Sequence, residues 1–229
     1  MPIHSSWHRA ATLGLLAATL LLTACVAPPV AMAPTAKSSL HTVRVNPIVK
    51  LPPDMLYLGR AEGLTMMAVG PLLGQQVASK VGNSAKAQLA AVLQANHIDL
   101  ADIVAAEFAK QASAGTPIRF VVGSAPADAQ VDLVVNVYGI AHAHTLGETL
   151  YPIVNLSATM KAPDGTVIWQ ATHVASAQNL DNKDGHTLEE YLGSPELLRQ
   201  AFVNGSDIVS KTMAEDLVAE PKARPGHLG

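Results

Sequence analysis

The sequence predicts a two-layer α+β domain, a mostly antiparallel sheet with a three-strand meander and helices packed on one face. Three observations predict it. Apolar residues between 84 and 115 recur at the helical period between capping residues, those between 117 and 175 alternate as in strands, and those between 195 and 218 return to the helical period. Helices and strands grouped in this way, rather than interleaved, give an α+β layering.

Residues 1–24 have the composition of a secretory signal. Arg9 and the amino terminus supply positive charge, and Ala10 to Leu22 follow without a charged residue, a run too short to cross a bilayer comfortably. The run closes on Leu22-Thr23-Ala24-Cys25, which resembles the lipobox of bacterial lipoproteins. That resemblance implies cleavage between Ala24 and Cys25, a diacylglyceryl thioether on the Cys25 sulfur, and a further acyl chain such as palmitate on the new amino terminus. One chain binds a membrane only marginally, at about 0.8 kcal/mol per buried CH₂, so several on one residue make a stable anchor. Val26 stands where an Asp in that family often marks inner-membrane retention, so the resemblance points to the outer membrane, on its periplasmic side.

Residues 25–40 are rich in Pro, Ala and Ser with hardly any charge, and are expected to form a flexible tether. A single periplasmic domain is expected over 41–218. Its first strand is placed at Thr42 to Val49 and stops at Pro52-Pro53, with a short second strand at 55–59. Ser84 is placed as the cap of a helix that ends at Asn96 in a left-handed conformation. Asp99 caps the next helix, Asp102 lies in its first turn near the positive end of the dipole, and Gly115 follows its end. Strands follow at Ile118 to Val122, Val131 to His144, Tyr151 to Lys161 and Thr166 to Ala175. Ala162-Pro163-Asp164-Gly165 joins the last two as a hairpin, and the loops of this meander are too short for parallel crossovers. Thr187 and Glu190 form a capping box. Ser194-Pro195 then opens a long helix whose Leu198, Ala201, Phe202, Ile208, Val209, Met213 and Leu217 lay one stripe on the sheet. Residues 219–229 are expected to be a disordered tail.

One segment stands apart. Gly63 to Ser79 carries no charge and is broken by Gly70-Pro71. It is too interrupted for a membrane span, and either packs into the core or offers Met66, Met67, Val69, Leu72 and Leu73 to a partner protein or to the membrane interface.

Composition narrows the function. A net charge of -3 with 15 Lys and Arg in 229 residues gives no basic footprint for nucleic acid, and 4% aromatic content gives no stacking platform. The single cysteine excludes an internal disulfide framework and a multi-cysteine zinc site. No cofactor motif is present: there is no phosphate-binding glycine loop, and neither Ser124 nor Ser194 sits in a nucleophile elbow. The 181–190 stretch departs from a calcium loop, because Lys183 holds the third position and Gly185 arrives one residue early. His142 and His144, two apart on one strand face, are the only candidates for metal ligation, with Glu148 as a candidate third ligand. His173 lies about two strand spacings away, roughly 10 Å, too far to share an ion with them.

The lipobox, the Pro/Ala segment, a helix before the sheet, the hairpin of Asp164, Gly165, Val167, Ile168 and Trp169, and a closing amphipathic helix together resemble cell-envelope accessory lipoproteins with CsgG-like and TolB amino-terminal folds. The resemblance implies an assembly, secretion or transport factor without enzymatic activity, held to the membrane through Cys25 and contacting an envelope protein or further copies of itself. A periplasmic carrier of a lipid or other apolar ligand, and a His-based metal-binding protein, are the alternative expectations.

Overall fold

The computed structural model describes residues 28–59, 83–143 and 147–219. Their order is α1 (Pro34–Ser39), β1 (Thr42–Val45), β2 (Leu56–Leu58), α2 (Asn83–Ala95), α3 (Leu100–Gly115), β3 (Arg119–Val122), β4 (Ala129–His142), β5 (Leu150–Lys161), β6 (Val167–Ala175), α4 (Leu188–Gly193) and α5 (Pro195–Val218). The architecture is α+β, as the periodicity predicts.

The sheet runs β3-β1-β4-β5-β6, with β2 pairing the far end of β4. The three long strands β4, β5 and β6 form the expected antiparallel meander. At its end Gly165 takes φ +87° and donates its amide to Ala162, the conformation that puts glycine in this turn. The short strands differ: β1 pairs in parallel with both β3 and β4, and β2 in parallel with β4, so the sheet is mixed.

Alternation along β5 is complete, with Leu150, Val154, Leu156, Ala158 and Met160 buried and the intervening residues half-exposed. Helix α5 covers β5 and β6, and α3 packs against α5 and β3 on that side. Trp169, Phe108 and Phe120 form an aromatic cluster between the layers, with Phe108 edge-on to Phe120 at 5.9 Å. Gly205 brings α5 close to β5: a Cβ there would lie 3.2 Å from Val154 and 3.3 Å from Pro152.

Several boundaries move, each for a local reason. β1 ends at Val45 because Asn46 Oδ1 accepts the Ile48 amide and Pro47 has no amide to offer; the chain rejoins the sheet only at the Lys50–Val134 bridge. Helix α2 begins at Asn83, so Ser84 lies within its first turn and its Oγ accepts from Gln88 Nε2. The left-handed residue is His97, at φ +51°, not Asn96. His97 N donates to Gln94 O and Ile98 N to Leu93 O, the paired bonds of a Schellman stop. Gly115 is the last residue of α3 rather than the one after it. Thr116 closes the helix with its hydroxyl on Ala112 O, and Gly115 leaves room for Ala214, whose Cβ would stand 3.1 Å from a Cβ at 115. Asp99, Thr187 with Glu190, and Ser194 cap their helices as expected.

The largest departure concerns the expected tether. From residue 28 the chain is part of the fold: Val30 bridges Gln170 on β6, Met32 is 1% exposed, and Lys37 Nζ on α1 donates to the carbonyls of Val218 and Ala219 at the end of α5. One buried methionine and backbone hydrogen bonds order a segment whose composition alone would leave it loose.

Candidate functional site

Cys25, Ala24, His144, and the proposed partner residues Met66, Met67, Val69, Leu72 and Leu73 lie outside the described residues. The 220–229 end does so too.

His142 is described, and a β-bulge decides where it points. The register of β4 against β5 slips between Val135 and Val137. Before the slip the odd residues Val131, Leu133 and Val135 face the helices. After it Tyr138, Ile140 and His142 oppose the inward residues Val154, Pro152 and Leu150, so His142 belongs to the inner face. Its Nδ1 lies 3.0 Å from Thr149 O; a carbonyl only accepts, so Nδ1 carries the proton. His173 opposes Leu156, six residues further along β5, or about 20 Å away. It is engaged with α5 instead, Nε2 lying 2.5 Å from Asp216 Oδ2. Among the described residues no group of three or more His, Cys, Asp or Glu could hold a metal ion.

The 176–187 connection is a sequence of turns fastened to β5. Asn182 Nδ2 donates to Pro152 O and Ser176 O, and Tyr191 Oη donates to Leu150 O at 3.1 Å and Asp184 O at 2.8 Å. Burial pushes the Tyr191 phenol well above its ordinary value, which keeps it a donor. Between α3, α5 and the sheet the layer is packed: Trp169, Phe108, Phe202, Met160 and Leu156 are all 0–1% exposed.

The outer face of the sheet carries no helix from the described elements and is mixed, with exposed Val137 and Val174 beside polar side chains. Asn136, the bulge residue, donates to Asn155 Oδ1 and Ser157 Oγ, and Ser157 bonds Thr172 on β6. Nearer the other end, Asp132 collects Lys161 Nζ at 2.8 Å, Gln130 Nε2 at 2.8 Å and Asn46 Nδ2 at 3.2 Å; Gln130 in turn accepts from Arg44. Partial burial pushes the Asp132 carboxyl up, but the hydrogen bonds from Lys161, Gln130 and Asn46 outweigh it and hold it below the usual range. Sequence reasoning missed this network. The Asp164-Gly165 hairpin sets only the β5–β6 register; Gln130 and Asp132 meet Lys161 through the β4–β5 pairing, which a bulge between Val135 and Val137 shifts, and Arg44 enters through a parallel pairing, so no local pattern announces the network.

Both sheet edges are engaged. Val30 and Gln170 exchange backbone bonds on β6, and on β3 the Phe120 amide donates to Ser113 Oγ at 2.8 Å. Such capping removes part of the template that a free edge offers to other strands.

No family model and no curated protein matches the chain. Solved structures similar to it include a PelC dodecamer from Paraburkholderia phytofirmans, 11% identical, TM-score 0.35, covering 78% of this chain and 95% of that one. Another is protein XCC0632 from Xanthomonas campestris, 13% identical, TM-score 0.34, over 49% of this chain and 57% of that one. A third is a minor lipoprotein from Acinetobacter baumannii, 12% identical, TM-score 0.23, over 76% and 93%.

Proposed function

We propose that this chain is a lipid-anchored accessory protein of the bacterial envelope, attached through Cys25 to the periplasmic side of the outer membrane and acting through protein–protein contacts rather than catalysis. The observation that carries the reading is Leu22-Thr23-Ala24-Cys25, with the only cysteine of the chain at the end of a signal-like run.

The ordered segment after residue 28 gives the anchor a mechanical meaning. Four residues separate Cys25 from Val30, so over five chain steps Cys25 lies no more than about 18 Å from the β6 edge. That is a short leash instead of a sixteen-residue one. It holds β6 and the end of α5 toward the bilayer, while β3, four strand spacings or about 19 Å away, is the edge free to face the periplasm. With both edges partly capped, the uncharged Gly63 to Ser79 segment is the surface assigned to a partner, which is an envelope protein or another copy of the chain.

Photo-crosslinkers placed at Met66 and Leu72 in intact cells test this. A discrete crosslinked band of constant mass is the expected outcome; recovery of the monomer alone from both positions contradicts a partner at this segment.

A further inference from the structure

On the outer face of the sheet, Arg44, Gln130 and Lys161 stand in one row across three strands, since Arg44 pairs with Gln130 and Gln130 with Lys161 in the β1-β4-β5 register. Residues paired in register point to the same side, and two strand spacings put the Arg44 and Lys161 backbones about 10 Å apart. The row floors a cavity of about 450 Å³. Its walls are the 123–128 loop, through Pro126, and the 162–165 turn, through Pro163.

The donors and acceptors in this cavity do not balance. Arg44 spends Nη1 on Ser124 O at 3.2 Å and Nη2 on Gln130, leaving three of the five guanidinium N–H groups. Lys161 spends one of three N–H groups on Asp132. Asp132, the carboxylate on the floor, already accepts from Lys161, Gln130 and Asn46, which occupies most of its lone pairs. The acids on the two wall loops are also engaged: Asp128 accepts the His41 and Thr42 amides, and Asp164 the Thr166 amide. The bonds that fix the two cations therefore leave unspent donors on side chains that line the cavity, while the Asp132 carboxylate beside them has most of its accepting capacity filled.

We infer that this cavity binds an oxyanion carried on a small polar molecule, gripped between Arg44 and Lys161. The volume lies within the range of small-ligand sites. Oxyanions suit the floor because charge-assisted bonds to guanidinium and ammonium are the strongest a carboxylate or phosphate makes. This inference is independent of the acylation of Cys25.

Titration calorimetry of the purified full chain in detergent tests it, with glucuronate, inorganic phosphate and neutral glucose as probes. The expected result is binding of the anions, weakened by added salt, with glucose silent. Arg44→Met and Lys161→Met are each expected to weaken anion binding about tenfold or more, while Lys211→Met on the exposed side of α5 leaves it unchanged. Binding of phosphate alone assigns the group to a phosphoryl ester, binding of glucuronate alone to a carboxylate, and either keeps the oxyanion site. No anion binding at millimolar concentration overturns it, as does equal binding of glucose, or unchanged affinity in both variants with native circular dichroism.

Discussion

Val30 and Gln170 exchange both of their backbone hydrogen bonds, each 2.9 Å long, and so tie the segment that follows Cys25 to the outermost strand of the sheet. Met32 completes the attachment by burying its whole side chain. If this segment belongs to the domain, Met32→Ala lowers stability by about 2–5 kcal/mol, the range for emptying a buried methionine site. Denaturant midpoints measure this. A loose tether would show no change.

Gly139 meets β2 where no side chain fits. A Cβ on it would overlap the Leu56 carbonyl oxygen, and its φ of +157° is one that other residues rarely adopt. Gly139→Ala is expected to cost about 3 kcal/mol or more and to detach β2 from β4. Hydrogen exchange at Leu56 and Leu58, faster in the variant while the β5–β6 amides stay protected, reads the local part of the effect.

Acid should weaken the fold through carboxylates whose native bonds lower their affinity for protons. Asp132, Asp207, Asp128, Asp164 and Glu190 are all held below the usual carboxylate range, the last three chiefly by backbone amides. A lowered folded value means the stabilisation is complete above the unfolded value of about 4 and fades as pH falls through the folded one. Stability measured from pH 7 down to pH 2 should therefore decline on the acid side, and Asp132→Asn should flatten that decline. An identical acid limb in the variant would show that Asp132 is not linked to folding.

The Tyr191 hydroxyl holds two carbonyls, one on β5 and one in the turn before α4. Tyr191→Phe keeps the buried ring and removes the donor, so the expected loss is about 1–2 kcal/mol. Limited proteolysis should show faster cleavage within 176–186 in the variant, because that bond and those of Asn182 fasten the turns to the sheet.

What the sequence made legible is local. The Asp164-Gly165 turn, the Asp99 cap, the Thr187–Glu190 box and the Ser194-Pro195 start each depend on residues within four positions of one another, and each stands where the pattern puts it. What it hid depends on distant chain. The parallel pairings of β1 join residues more than seventy positions apart, and no turn chemistry encodes them. A single bulge at Asn136 reverses the faces of the second half of β4, which turns His142 inward. Val30 and Met32 sit in a Pro/Ala stretch whose composition resembles a linker, and a backbone bridge leaves no mark in side-chain periodicity. The Arg44–Gln130–Lys161 row needed both the bulged β4–β5 register and the hidden parallel one.

The most direct test of the account is acylation at Cys25. Cells expressing the chain are fed an alkyne fatty acid, and the protein is purified and coupled to a fluorophore beside its Cys25→Ala variant. The account predicts label on the wild-type chain, recovered with the outer membrane, and none on the variant, which should be released from membranes. An unlabelled wild-type chain, or equal label on Cys25→Ala, would contradict it.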